Sequence, residues 1–486
     1  MIGIALLTVT GLDLLPYAIV VMIFHVFPGD IEWWEPNQVT SWMGSLLWVP
    51  HHVAALTACM AGLLAISTVD EETPIRSTVW AVLLSGFAFA SAAGLSVYVT
   101  FTFAIFASCW AIWELVQGRV KTLLAYVSAG AISLLLSWPF LIDLLSKRVE
   151  TGLSPGGDQF VFFAIRDYPE VLAYIARLGG VHNSFVLELL RAPILLIVYV
   201  LEFGFFLLVM VLRLRQDVSS SVSLKRQQRM AWALFAICLL TMTTVQSNST
   251  NTNDLGFRGI LVVQFVLLIW AAPIVDDVFF VKRRAGEAGS RTLWIKASLF
   301  ITLLIGLAGT SYQFVALRCY SPMADYGKIR RSELFLGHAG FGERTYWLRE
   351  GYSRLNDLTA STTFVQYNPV GDEVFMTHLY STRQAVIGEE GCASVFGGEA
   401  SKCKEAFPYI ASIFNSPNAV RGWNLDGVCD AFHVNVLVAT DVDPVWQDPT
   451  SWVWTRRDLL ANPAMRAIPC GTLTNSSAAN DQQLSH

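Results

Sequence analysis

Apolar residues run in long blocks through the first two thirds of the chain and then give way to a mixed pattern. A helix needs about 20 apolar residues to cross the roughly 30 Å hydrocarbon core of a membrane, which predicts about nine spans. They lie near residues 1–27, 42–67, 77–93, 96–116, 122–144, 185–212, 230–246, 257–280 and 293–317. Asp13 and Pro16 interrupt the first, so a broken helix or a re-entrant turn is expected there. The run over 79–115 is too long for one helix and divides near Gly94-Leu95-Ser96. The long blocks stop at Leu317-Arg318-Cys319. Beyond this point strand-like runs at 362–367, 384–387, 433–439 and 464–468 alternate with helix-like runs at 344–355, 402–414 and 456–460. That alternation is the pattern of a small α/β layer. The fold class expected is an α-helical polytopic membrane domain over 1–317, followed by a small soluble α/β domain over 318–486.

Composition supports this division. The chain has 486 residues, is 54% hydrophobic and is only 15% charged, against about 25% charged in a typical soluble domain. The net charge of −5 is spread along the chain and forms no basic face, so membrane lipid is the expected partner and nucleic acid is not. The loops alternate in charge. Those at 71–76, 118–121, 213–229 and 281–291 hold most of the loop Lys and Arg, which places them in the cytoplasm. The last span then exits on the far side, and 318–486 is expected to be extracytoplasmic. Met1 to Thr10 has no basic n-region, and no small-residue cleavage site follows, so it is not a signal peptide. Because the chain opens inside an apolar run, it reads as an N-terminally truncated fragment that has lost upstream helices.

The cysteines fit an oxidising compartment outside. Cys59, Cys109 and Cys238 lie in spans and read as core packing, while Cys319, Cys392, Cys403, Cys429 and Cys470 lie in or beside the soluble domain. The favoured pairing is Cys392 with Cys403 and Cys429 with Cys470, leaving Cys319 over. Zinc is the alternative, without CxxC spacing to support it.

Candidate chemistry concentrates at the outer ends of the spans. The first external loop packs Asp30, Glu32 and Glu35 around Trp33 and Trp34, with Gln38 following. Acids at a membrane surface can act as a general base or hold a divalent cation. Neighbouring tryptophans can hold a lipid-linked substrate or anchor the loop at the headgroups. Glu32 is the first choice of catalytic acid, because its tryptophan neighbours could partly desolvate it, and Asp30 and Asp13 are the others. His51 and His52 lie near a predicted helix end, where an ionisable residue points to function or to a hydrogen bond between helices. In Asn253-Asp254-Leu255-Gly256-Phe257-Arg258, Asp254 is placed to cap the next helix. Arg258 sits one turn in, where it could pair with Asp254 or bind phosphate, and Gln264 lies further down the same helix. The segment 442–454, rich in Trp, Asp and Pro, reads either as a sugar-binding lip or as a packed loop. The chain carries no Gly-rich phosphate loop, nucleophile elbow or HExxH motif.

The stretches GLDLLP, IEWW with QVTS and LWVPHH, and NDLGFRG before an apolar helix resemble those of large uncharacterised bacterial membrane proteins often grouped with the GT-C superfamily of glycosyltransferases. The layout is similar over most of the chain. The resemblance implies a bacterial inner (plasma) membrane enzyme that moves a sugar from a polyprenyl-phosphate donor to an extracytoplasmic acceptor, with an acid on an external loop as base. The usual acidic pair after the first span is represented only by Asp30-Ile31-Glu32. Two other readings stand beside it: a transporter of lipid or sugar, motivated by Asp13, His51 and Gln264 within spans, and a non-catalytic membrane scaffold.

Overall fold

The computed structural model describes residues 2–24, 31–32, 39, 41–151, 161–180, 184–214, 222–247, 253–280, 290–315, 319, 343–370, 380–389, 400–415 and 425–471. By contact the chain divides into two compact units, one over 1–141 and 157–320, the other over 142–156 and 321–486.

The first unit is helical. In chain order it holds α1 (Ile2–Leu6), α2 (Leu14–Phe24), α3 (Trp42–Trp48), α4 (Pro50–Ser67), α5 (Ile75–Leu95), α6 (Val97–Val116) and α7 (Val120–Thr151), whose end passes into the second unit. Strand β1 (Val161–Phe163) and α8 (Pro169–Gly179) follow, then α9 (Ser184–Leu214), α10 (Val222–Thr244) and strand β2 (Val245–Ser247). Helices α11 (Asp254–Gly259), α12 (Leu261–Val275) and α13 (Ser290–Phe314) complete it. Among the described residues, seven stretches are long and apolar enough to cross a membrane: Pro50–Ser67, Ile75–Leu95, Val97–Val116, Val120–Asp143, Phe185–Leu214, Asp254–Phe280 and Leu293–Phe314. Their outward faces carry exposed Trp80, Phe87, Leu135 and Trp294, a surface suited to lipid tails rather than water. Cys59 and Cys238 are buried, whereas Cys109, expected in the core, faces outward.

Local chemistry explains the breaks. Pro50 opens α4, because a proline lacks the N–H that an interior position needs, so 42–67 is two helices. Ser96 separates α5 from α6 and caps the latter, accepting from Val99 N at 3.3 Å.

Two predicted spans fall short of the membrane criterion. The stretch 1–27 is not one helix: α1 and α2 are separated by irregular backbone, and α2, with 11 residues, rises only about 16 Å. Helix α10 is 23 residues long, but Lys225, Arg226 and Arg229 lie in its first turns. It still runs the length of the bundle. At its start Arg226 Nη2 meets Glu114 Oε1 at 3.1 Å near the end of α6. At its finish β2 pairs antiparallel with β1, which follows α7. Glu114 is fully buried and also binds Arg119 at 3.0 Å, so two guanidiniums satisfy one desolvated carboxylate.

The second unit is a mixed α/β layer. Strands β3 (Val365–Tyr367), β4 (Val436–Thr440), β5 (Leu460–Ala461) and β6 (Met465–Pro469) form a sheet in the order β3-β4-β6-β5. The β3–β4 pair is parallel and the others antiparallel. Helices α14 (Glu343–Leu358), α15 (Ala400–Asn415) and α16 (Leu425–Ala431) belong to the same unit. The expected strand at 384–387 forms only a single bridge to Phe364. The Gln366 side chain takes over the pairing, donating to Ile387 O at 2.9 Å and accepting from Ile387 N at 3.0 Å. The expected helix at 456–460 is instead extended: Leu459 N donates to Ala467 O at 2.8 Å, and Arg466 Nη2 to Asp458 Oδ2 at 2.8 Å. Cys429 in α16 is bonded to Cys470 after β6. Cys403 is also disulfide-bonded, and Cys392 lies outside the described residues.

Candidate functional site

The break between α1 and α2 meets a kink in α9. Gly204 adopts φ 37° and ψ −111°, a backbone state that favours glycine. Leu12 packs against it, and Leu12 N donates to Leu201 O at 2.6 Å. A Cβ on Gly11 would run into the carbonyls of Leu201 and Glu202. On the other side Thr10 Oγ1 donates to Gly306 O of α13 at 2.9 Å. Irregular backbone at membrane depth is tolerated when protein surrounds it, and here the two irregular stretches satisfy one another.

Asp13 and Glu202 each lie one residue beyond that contact, and Glu32 joins them. One carboxylate oxygen from each of the three lies within 4.8 Å of the others. The residues are only 2% (Asp13), 2% (Glu32) and 3% (Glu202) exposed. Three buried negative charges cannot stand without compensation, and two arginines supply it.

Arg166 follows β1, where its N–H donates to Thr243 O at 2.8 Å. It is fully buried within electrostatic reach of Tyr168, Tyr199 and Glu202. Burial works against its charge, and these three groups outweigh burial, so its pKa lies above the usual arginine value. Tyr168 lies within reach of both Glu202 and Glu32. Arg258, on α11, lies within reach of Asp254, Tyr98 and Glu32 and stacks over Phe257 at 3.7 Å. The three carboxylates and the two guanidiniums thus lie in one buried charged cluster, with Asp254 also within reach of Arg258.

The histidines adjoin this centre. His52 is buried, and its Nδ1 is 2.7 Å from Ser96 Oγ. The His51 ring is 4.0 Å away and exposed, and both lie within electrostatic reach of Arg258. Gln264 and Glu202 line a cavity with Thr10 and Trp42 of about 10 Å³, close to the room one water needs.

Of the predicted site residues, Asp13, Glu32, His51, His52, Asp254 and Arg258 fall in or beside one polar centre. Asp30, Trp33, Trp34 and Gln38 lie outside the described residues. Asn253, not Asp254, caps α11, accepting from Gly256 N at 3.1 Å. The Trp-rich segment is packed in part: Val445 and Trp452 are buried, whereas Val442 and Trp454 are exposed. Trp452 is buried and donates to Ile413 O at 3.0 Å, and Arg466 covers one face of Trp454 at 4.5 Å. Sequence reasoning missed Glu202 and Arg166. An acid inside the apolar run of α9 was itself a signal; Arg166, in a polar loop, carried none.

The helices define the class: an integral, polytopic membrane protein in contact with lipid, carrying a small mixed α/β unit with a disulfide. No protein-family model matches the sequence, and no curated protein matches it.

Proposed function

We propose that the helical unit is a glycosyltransferase of the GT-C kind, moving a sugar from a polyprenyl-phosphate donor to an acceptor hydroxyl outside a bacterial inner membrane. The observation that carries this reading is the convergence of Asp13, Glu32 and Glu202 between Arg166 and Arg258. A carboxylate shielded from water and set beside two others suits a general base, because burial and like charge both raise its affinity for a proton. Glu32 takes the acceptor O–H proton as the acceptor oxygen forms its bond to the sugar C1. The bond from C1 to the phosphate oxygen breaks, and the lipid phosphate leaves with the bonding pair. Arg258, within reach of Glu32, counters the charge that develops. The oxygen-only donor set and its spacing also fit a divalent cation, which Asp13 and Glu202 would hold, with Glu32 kept as the base, and which would polarise donor phosphate. The disulfide and the basic loops support an α/β unit on the extracytoplasmic side.

The test is transfer by the full chain in vesicles supplied with a polyprenyl-phosphate sugar and a hydroxyl acceptor. Glu32→Gln is expected to slow transfer by about 10²- to 10⁴-fold; full activity removes Glu32 from the mechanism. A second reading, an ion-coupled transporter, is favoured by one observation: carboxylates sit where a broken helix crosses a kinked one, beside a water-sized cavity. Uptake of solute by the same vesicles without acceptor would select it.

A further inference from the structure

Beyond the carboxylates lies a second polar feature. Helix α4 starts at Pro50 with no side chain capping its first N–H groups. Helix α6 starts at Val97, one residue after Ser96. His52, in the first turn of α4, is hydrogen-bonded to Ser96, so the two helix starts adjoin. Each is the positive end of a helix about 18 to 20 residues long, a setting that favours anions.

An independent observation also points to a ligand. Arg258 is only 8% exposed, and its Nη1 has no hydrogen-bond partner among the described residues. Asp254 and Glu32 lie within reach of its charge, yet neither accepts a hydrogen bond from Nη1. A buried, unused guanidinium N–H is costly, and an arginine fork suits an oxyanion. The neighbouring groups are suited to the same ligand. His51 is exposed, its ring 4.0 Å from that of His52, and both lie within electrostatic reach of Arg258. Tyr98 of α6 lies close by, its ring 6.3 Å from that of His52 and within electrostatic reach of Arg258.

We infer that Arg258, His51 and His52, at the adjoining starts of α4 and α6, form a binding site for a phosphate group. In the membrane setting that group belongs to a phospholipid-like or polyprenyl phosphate, and free phosphate carries the same chemistry. The site's place in the reaction rests on the transferase reading, in which it holds the donor's phosphate, but binding is measured without turnover.

The full chain is placed in phosphatidylcholine nanodiscs doped with polyprenyl phosphate or with the uncharged polyprenol of equal length, and retained lipid is counted by native mass spectrometry. Wild type is expected to retain the phosphate lipid in preference to the alcohol. Arg258→Ala is expected to weaken retention at least about tenfold, as loss of a charge-assisted hydrogen bond implies, and Arg258→Lys to restore part of it. His51→Ala alters an exposed ring and keeps the test open if Arg258→Ala does not fold; it is expected to weaken retention about threefold, as a modest contact would. Displacement by inorganic phosphate would show that the phosphate alone suffices, and retention against it that the lipid chain contributes; either supports the site. Equal retention of phosphate and alcohol, or variants that bind as wild type does, overturns it. Selective retention without sugar transfer sinks the transferase reading alone, and transfer without selective retention sinks this site alone.

Discussion

Asp13 and Glu202 come within 4.8 Å of each other because each follows, by one residue, a member of the hydrogen-bonded pair Leu12 and Leu201. The break after α1 and the kink in α9 are thus one feature that delivers two acids to one point. Its weak place is Gly11, which has no room for a side chain. Gly11→Ala would press a methyl into the carbonyls of Leu201 and Glu202, backbone that cannot swing aside. Overpacking of this kind costs about 1–3 kcal/mol. Thermal unfolding in detergent is expected to fall by that amount, with loss of transfer. Wild-type stability in Gly11→Ala would show that the crossing is looser than the structure has it.

Arg166 and Glu202 form the next test. Removing one partner of a buried charge pair costs about 3–5 kcal/mol, chiefly because the other charge stays buried. Glu202→Gln is expected to destabilise the helical unit on that scale. Adding Arg166→Met should recover a large part of the loss without restoring activity. A double variant no more stable than Glu202→Gln alone would mean that Arg166 draws its compensation from Tyr168 and Tyr199 instead.

The spans were legible because apolar length is a one-dimensional property, and Gly11, Asp13 and Pro16 announced a break. What spoils the count is electrostatic. The sequence reads 230–246 as a span with Arg226 in the loop before it, and only the buried Glu114, 112 residues away, shows how that charge is carried into the bundle as part of α10. The site was legible in part for the same reason. Glu32, Asp13 and Arg258 were conspicuous as charges in apolar surroundings, whereas their meeting with Glu202 depends on a backbone crossing that no local pattern encodes. In the α/β unit, the segment at 384–387 looked like a strand from its own residues, but the Gln366 side chain had already taken its hydrogen bonds.

The Cys429–Cys470 bond closes a loop with a sequence separation of 41. In the chain-entropy picture a loop of that size is worth about 4 kcal/mol. Replacing both cysteines by alanine, which leaves the bond at Cys403 intact, is expected to lower the unfolding midpoint of the α/β unit by that equivalent. It should leave the helical unit's midpoint unchanged. Limited proteolysis of the full chain against temperature follows the two units separately. Equal protease resistance with and without the bond would show that the sheet alone carries the fold.

Acid should act on the same unit through Asp426. Arg456 grips its carboxylate with both nitrogens, Nη1 to Oδ1 at 2.6 Å and Nη2 to Oδ2 at 3.0 Å. The Arg456 hydrogen bonds hold the Asp426 pKa below the ordinary range against a smaller opposing effect of burial, with the Arg456 charge and Gly471 N–H adding to them. A group whose folded pKa is depressed contributes stability above its unfolded value, near 3.9 for Asp, and loses it as pH falls through the folded value. The wild-type unit is therefore expected to lose stability below about pH 4 more steeply than Asp426→Asn. Both side chains are about one-third exposed, so solvent screening keeps the difference under about 1 kcal/mol. Asp458, held by Arg466 in the same sense, remains in both proteins and cancels in the comparison. Unfolding midpoints taken from pH 6 to pH 2 at fixed ionic strength separate the outcomes. Parallel curves for the two proteins would assign the acid sensitivity of this unit to other carboxylates.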